Sequence, residues 1–270
     1  MSVRKLVDYH VHTDFSGDSQ ARPQDVLARA AALGLKEICI TDHLDYDYAD
    51  VRFEAIDFEE YFRVLQEQAR ATAPELQVLT GVEIGYQSHL PERMSALIKA
   101  YPFDFVICST HMAEGRDFFT GDFFKGKSKQ EAYGAYLASV LEATHNFADF
   151  DVYGHLDVIT RYGVYEDNSL HYPEYVELIE AILRSLIERG KGIELNTSGL
   201  RYGQGDFHPQ LEIIRRYKQL GGEIITVGSD AHREKDLAAD FAQAYAVLKE
   251  VGFNRIAHYR QRRLNFIDIG

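Results

Sequence analysis

Histidines and acids fall at recurring positions along this chain, in short motifs that end apolar runs. His10 and His12 stand at i and i+2 in DYHVHTD. On an extended chain both imidazoles lie on one side, with Val11 turned away into packing. His43 follows in TDHLD, Glu83 in GVEIGY, His111 in CSTHM and His155 in YGHLD, and Asp230 and His232 share GSDAH. Each has an ordinary alternative: a histidine at a strand end can hydrogen-bond locally, and an acid can form an ion pair. Glu83 is the hardest to explain that way, because a carboxylate after an apolar strand needs protons, partners or cations. Asp18, in the polar TDFSGD loop, could cap a turn or join the others as a ligand. Converging imidazoles and carboxylates are what a polynuclear metal site requires, and this nitrogen and oxygen set suits zinc, manganese or iron.

Such residues meet only if the fold brings them together. From His10 through His43, Glu83, His111, His155 and Asp230 the intervals are 33, 40, 28, 44 and 75 residues. Each matches one strand-then-helix unit, except the last, which matches two. The pattern predicts strands at 6–9, 37–41, 77–83, 105–109, 151–153, 192–195 and 223–227. Helices are predicted over 23–33, 58–72, 91–99, 131–145, 173–188, 209–220 and 237–250. Residues 112–128 carry no clear period and read as a long loop, as does the stretch through Tyr202. A final short strand is expected after Gly252. The strands are apolar throughout, as in EICIT and IITVG, which suits parallel strands covered on both faces. The first strand lacks the glycine fingerprint of a dinucleotide-binding sheet. Seven units in one chain, with no Pro/Ser/Gly linker, fit a single α/β barrel domain over residues 1–270. In a parallel barrel all strand C-termini open on one face.

Composition narrows the partners. Lys plus Arg is 29 and Asp plus Glu is 42, giving a formal charge of −13. That balance, with no long basic block, argues against a nucleic-acid partner. No stretch approaches a membrane span, and the start lacks a signal-peptide core, so a cytoplasmic location is expected. Cys39 and Cys108 lie inside apolar runs and read as small buried hydrophobes.

The motifs HVH, TDH, GVEIGY, STHM, YGHLDVITRY, ELNTSGLR and GSDAH, in this order, resemble the polymerase-and-histidinol-phosphatase (PHP) superfamily of phosphoesterases. The closer similarity is to its stand-alone histidinol-phosphate phosphatases, and it spans nearly the whole chain. The resemblance implies a distorted, TIM-like (β/α)7 barrel holding two or three divalent ions. Carried onto this sequence, it implies one ion held by His10, His12, Glu83 and Asp230. A second would be held by Glu83, His111 and His155, and a third by Asp18, His43 and His232. It also implies hydrolysis of L-histidinol phosphate to L-histidinol and phosphate, a step of histidine biosynthesis.

Closely spaced divalent ions suit phosphoester hydrolysis, since they acidify water and stabilise charge on the attacking and leaving oxygens. Asp230 is expected to receive or orient the nucleophile's proton, and His232 to help protonate the leaving alkoxide. No phosphate-binding P-loop is present, which leaves arginine, a planar donor fork matched to a phosphate monoester. The resemblance implies that Arg161 and Arg201 hold the phosphate, with Arg116 a weaker third candidate. His89 could touch substrate, and Asn196 could orient it or brace the barrel. Loops 44–57, 84–90 and 112–128 could wall a pocket, with Glu114 or Asp117 pairing a substrate amine. His145, His171, His208 and His258 read as non-catalytic. The oligomeric state is left open. Alternatives are a PHP phosphoesterase acting on a nucleotide or another small phosphate monoester, and a metal-stabilised accessory domain without activity.

Overall fold

The structure is a computed structural model, and it describes residues 7–72 and 74–270. Seven parallel strands form a barrel: β1 (Val7–Asp8), β2 (Glu37–Ile40), β3 (Gln77–Gly85), β4 (Phe105–Ser109), β5 (Val152–Tyr153), β6 (Gly192–Asn196) and β7 (Ile225–Gly228). Neighbours in this order pair in parallel, with Glu37 opposite Gln77, Gly81 opposite Phe105 and Gly228 opposite Asn196. The chain of β2 breaks after Ile40 and pairs again at His43–Leu44, where His43 faces Glu83 across the ladder. The barrel closes beyond the regular strands. Val11 bridges Ala231 in parallel, His12 N–H donates to the Ala231 carbonyl at 2.9 Å, and Asp230 N–H donates to His10 at 2.8 Å. The uneven strands, from two to nine residues long, make the cylinder distorted. Leu6, expected in the first strand, lies outside the described residues.

The helices sit where the sequence places them, with identifiable stops and starts. Helix α1 (Pro23–Ala32) begins on Pro23, whose missing N–H costs nothing in a first turn. It ends before Gly34, which takes φ +74°. Helix α2 (Phe58–Ala71) is capped by Asp57, whose carboxylate accepts from the Glu59 and Glu60 N–H groups. Helix α3 is Pro91–Ala100, and α4 (Lys129–Asn146) opens on a reciprocal cap between Ser128 and Glu131. Helices α5 (Val176–Glu188), α6 (Leu211–Gln219) and α7 (Phe241–Val251) complete the outer ring. The expected start of α5 at Pro173 is a separate short 3-10 turn, Tyr172–Glu174.

Three segments differ from expectation. Residues 112–128 are not featureless: Met112–Ala113 pairs antiparallel with Arg116–Asp117, and a 3-10 turn follows at Asp122–Phe124. Phe118, Phe123 and Phe124 are buried there, so burial of three rings orders a segment too short in its elements to show a period. The stretch before Tyr202 contains a helical turn, Ser198–Arg201. After Gly252 the chain makes not one strand but a hairpin, β8 (Arg255–Arg260) and β9 (Arg263–Asp268).

That hairpin seals the N-terminal end of the barrel. Tyr259 N–H donates to the Tyr9 hydroxyl at 3.0 Å, and Tyr9 in turn hydrogen-bonds Glu37 at the start of β2. At the hairpin turn, Gln261 N–H reaches Asp104 at 3.0 Å and Arg262 Nε reaches Asp151 at 2.6 Å. Asp104 and Asp151 immediately precede β4 and β5. The stabilising contacts are thus gathered at the end opposite the histidine motifs, the division expected of a parallel barrel.

Candidate metal centre

All nine histidines and acids singled out as ligands meet at the C-terminal mouth. Glu83, at the end of β3 and fully buried, is their hub. Its Oε2 lies 3.1 Å from His10 Nε2, 3.5 Å from His12 Nε2 and 3.0 Å from His43 Nδ1. Its Oε1 lies 2.8 Å from His155 Nε2 and 3.2 Å from His111 Nε2. Asp230 Oδ1 stands 3.4 Å from His12 Nε2 and 3.8 Å from His10 Nε2. On the outer side, Asp18 lies 3.1 Å from His232 Nε2 and 3.7 Å from His43 Nε2. The rings of His12, His43 and His232 cluster in a triangle, with His12 4.2 Å from each of the other two centroids and those two 5.7 Å apart.

The residues fit divalent ions by a physical test. Nε2 of His10 and His12, Nδ1 of His43 and Oε2 of Glu83 are buried with no hydrogen-bond partner among the described residues. Buried polar atoms without partners are costly, yet the three nitrogens all lie close to Glu83 Oε2, at 3.1, 3.5 and 3.0 Å. Three groupings have ligand atoms within 4.8 Å of one another: His10–His12–Glu83, His43–Glu83–His111 and His12–His43–His232. The first holds three of the four residues of one set implied by the resemblance, and the third keeps His43 and His232 but takes His12 in place of Asp18. The second draws in His43 beside Glu83, so His43 stands between two of the expected sets. These clusters suit one or more divalent cations.

Electrostatics follow from packing acids and imidazoles together. Burial would raise the carboxyl of Glu83, but His10, His43 and His111 hold it well below the usual range. Asp230 behaves likewise: burial opposes its charge, while His10, His12 and Arg161 hold it well below. Burial works against a charged His10, yet Glu194, Glu83 and Asp230 outweigh it and hold the ring well above its ordinary value. His43, buried but facing Glu83 and Asp18, rises to about 9. Burial, with His232 and His43 beside it, drives His12 well below.

The local backbone aims these side chains. Asp230 adopts φ 52°, a left-handed conformation that aspartate tolerates better than most residues. The turn is fixed from two sides. Asp8 accepts from the Ser229 N–H at 2.9 Å and its hydroxyl at 2.6 Å. Arg201 Nη2 donates to the carbonyls of Ser229 and Asp230 at 2.9 and 3.0 Å. Arg201 therefore grips the backbone of the ligand turn, and its Nη1 has no hydrogen-bond partner among the described residues. Arg161 Nη2 lies 3.3 Å from Asp230 Oδ2 and hydrogen-bonds Ser198, with its guanidinium 4.3 Å over the Tyr202 ring. Asn196 is fully buried; it donates to Glu194 at 3.1 Å and accepts from Ser198 N–H at 2.9 Å. Its contacts are those of a brace.

The other candidates lie further out. His89 pairs with Asp47 at 2.8 Å on exposed loops. It lines a cavity of about 310 Å³ with Tyr86, Met112, Glu114 and Glu142, among others. Two of the loops expected to wall a pocket, 84–90 and 112–128, therefore do border one, but none of the nine lines it. Glu114 is exposed and paired with Lys127 at 2.8 Å, Asp117 accepts from Thr120 N–H at 2.7 Å, and Arg116 is exposed. The four histidines set aside are elsewhere: His208 is held by Asp157 at 2.6 Å, His258 faces Glu37 at the barrel floor, His171 pairs with Asp167, and His145 ends α4. Both cysteines are buried and unpaired.

Sequence reasoning missed the acids and hydroxyls behind the ligands. Glu194 lies 2.7 Å from His10 Nδ1, Asp45 lies 2.7 Å from His111 Nδ1, and Ser16 lies 3.0 Å from His12 Nδ1. Ser109 donates to Glu83 at 2.6 Å. The signal for Glu194 was present: a charge inside GIELN, a strand buried along its whole length.

A family described as the PHP domain matches residues 8–198. The chain belongs to the PHP-domain family. Asp230 and His232 lie beyond the matched segment, but full-length relatives extend past them. A histidinol-phosphatase of Lactococcus lactis is 32% identical over 263 residues, covering 97% of both chains. A probable histidinol-phosphatase of Clostridium acetobutylicum is 30% identical, covering 88% of this chain and 91% of the relative. The crystal structure of histidinol phosphate phosphatase from Lactococcus lactis, complexed with zinc, L-histidinol and phosphate, superposes with a TM-score of 0.91 at 31% identity. It covers 97% of this chain and 99% of that one. A crystal structure from Listeria monocytogenes shares the fold, with a TM-score of 0.75 at 20% identity over 88% of this PHP chain and 99% of the other. With its clustered ligand triads, this PHP domain is built as a metal-dependent phosphoesterase. Among the described residues no helix is long and apolar enough to cross a membrane.

Proposed function

We propose that this chain is a histidinol-phosphatase, hydrolysing L-histidinol phosphate to L-histidinol and phosphate. The observation that carries the reading is the 32% identity, over 97% of both chains, to the Lactococcus lactis histidinol-phosphatase. That enzyme's structure was solved with zinc, L-histidinol and phosphate. His10, His12, Asp18, His43, Glu83, His111, His155, Asp230 and His232 would hold two or three divalent ions, of zinc, manganese or iron. Bound there, the ions would supply an acidified water and neutralise charge on the phosphoryl oxygens.

The chain's own residues supply the rest. Arg161, already aimed at Asp230, presents a fork to a phosphoryl oxygen. Arg201 would contribute Nη1 while Nη2 holds the turn beneath Asp230. Asp230 Oδ1 faces the cluster and Oδ2 faces Arg161 and Ser198. It thus stands between ligand and phosphate sites, placed to orient a nucleophilic water and take its proton. His232, near the outer edge against Asp18, would return a proton to the leaving alkoxide only while its Nε2 holds no ion, so the ligand and acid roles exclude each other. Asn196 acts through Glu194 and Ser198. His89, on the cavity beside the mouth, would meet the amino-alcohol part of the substrate.

The test is turnover by the metal-loaded protein across a panel. It would include L-histidinol phosphate, other phosphorylated amino alcohols and a bisphosphorylated nucleotide. A clear preference in kcat/KM for L-histidinol phosphate is expected. Equal use of the amino alcohols, or preference for the nucleotide, would overturn the substrate assignment. Release of no phosphate from any member would overturn the enzyme reading.

A further inference from the structure

Two buried carboxylates stand directly behind ligand histidines on opposite halves of the cluster. Glu194, on β6, meets His10 Nδ1 at 2.7 Å through Oε1, while Oε2 accepts from His155 N–H at 2.9 Å and from Asn196 at 3.1 Å. Asp45 meets His111 Nδ1 at 2.7 Å through Oδ1, and its Oδ2 lies 3.5 Å from His43 Nδ1. Each thus fixes the far nitrogen of a histidine whose near nitrogen faces Glu83. An imidazole anchored this way keeps its proton on Nδ1 and presents a lone pair at Nε2.

The fold reserves space for both acids. A Cβ on Gly228 would come 2.3 Å from Glu194 Oε1, and a Cβ on Gly85 would come 1.8 Å from Asp45 Oδ1. Neither glycine has a positive φ, so close approach, not backbone conformation, calls for glycine at both. Two independent strands therefore leave out a side chain exactly where a carboxylate must reach a histidine.

We propose that Glu194 and Asp45 are positioning residues that separately set divalent-ion affinity on the two halves of the centre. Glu194 acts through His10 on the His10–His12–Glu83 side. Asp45 acts through His111 on the His43–Glu83–His111 side. The proposal rests on the metal-centre reading above. A glutamine at 194 cannot replace the acid: with one amide oxygen it must offer N–H either to His10 or to the already donating His155 N–H. Removing such a partner typically weakens metal affinity about 10- to 100-fold.

The experiment is a competition titration of chelator-stripped, full-length protein with Zn(II) against a chromophoric chelator, following each uptake step. Glu194→Gln is expected to weaken one step about 10- to 100-fold and leave another within about twofold. Asp45→Asn is expected to weaken the complementary step, and the double variant both. Circular dichroism checks folding. If Glu194→Gln does not fold, Glu194→Asp, which keeps the charge but shortens the reach, is expected to weaken the same step. Wild-type affinity at every step in folded single variants would overturn the proposal while leaving the metal centre intact, as would both variants weakening the same step alone. Absence of any uptake by the unaltered protein would instead overturn the metal-centre reading itself.

Discussion

Arg161 and Asp230 are 69 residues apart in sequence, yet Arg161 Nη2 lies 3.3 Å from Asp230 Oδ2. The acid that faces the imidazoles with one oxygen faces a buried guanidinium with the other. On the proposed function, a phosphate arriving at the mouth would meet a cation already placed and largely desolvated. Arg161→Ala should lower kcat/KM for L-histidinol phosphate about 10- to 100-fold, the loss of one charge-assisted contact. Arg161→Lys should restore little, because a point charge cannot reproduce the fork. Steady-state kinetics decide this, and an unchanged kcat/KM in Arg161→Ala would remove the contact.

Asp230→Asn keeps the size of the side chain and should preserve the fold. It removes the charge balancing His10, His12 and Arg161, and with it a proton acceptor. Turnover should fall by about 10²- to 10⁴-fold, the usual range for a lost general base. Metal content must be measured alongside; near-normal turnover at full loading would exclude Asp230 from proton handling.

Without metal, His10, His43, His111 and His232 all hold their protons more tightly than an ordinary imidazole. His12 and His155 shift the other way. An imidazolium offers no lone pair, so cations must displace those protons. Loading at pH 7.5 should therefore release protons, and affinity should fall as pH is lowered. Calorimetric titration in two buffers of different ionisation enthalpy reads the release directly. Heats that do not depend on the buffer would contradict it.

At the barrel floor, Arg262 pairs with Asp151, which is itself almost wholly buried. Arg262→Ala leaves that carboxylate with the Val106 N–H and the charge of Lys191 nearby. A loss of about 1–3 kcal/mol in stability is expected, below the cost of breaking a fully buried pair because Arg262 is partly exposed. Chemical denaturation measures it, while KM and kcat should stay within about twofold. A change in kinetics without a change in stability would tie the floor to the site instead.

The convergence of the motif residues was legible because topology sets it. Once the units are read as strand-then-helix, residues after each apolar run must share one face, so His43, Glu83, His111 and His155 were expected at one mouth, while their division among ions came from the family resemblance. The supporting acids were harder. Glu194 sits inside a strand rather than after it, and Asp45 is one of several acids in TDHLDYDYAD. Nothing in one dimension tells which of them turns inward. The hairpin β8–β9 escaped for a different reason: its partner is the barrel floor, distant in sequence, through contacts such as Tyr259 with Tyr9. The ordering of 112–128 came from packing of Phe118, Phe123 and Phe124, which leaves no periodic trace.

The cylinder closes where the first and seventh strands meet, around the bridge between Val11 and Ala231 and through backbone hydrogen bonds from Tyr9 to Val227, Asp230 to His10 and His12 to Ala231. His10 and His12 flank that bridge on one side, and Asp230 and His232 flank it on the other. Ions held among these four side chains would rivet the join. Catalysis and closure of the cylinder would then draw on the same bonds, and stripping the ions should loosen the protein first along that line.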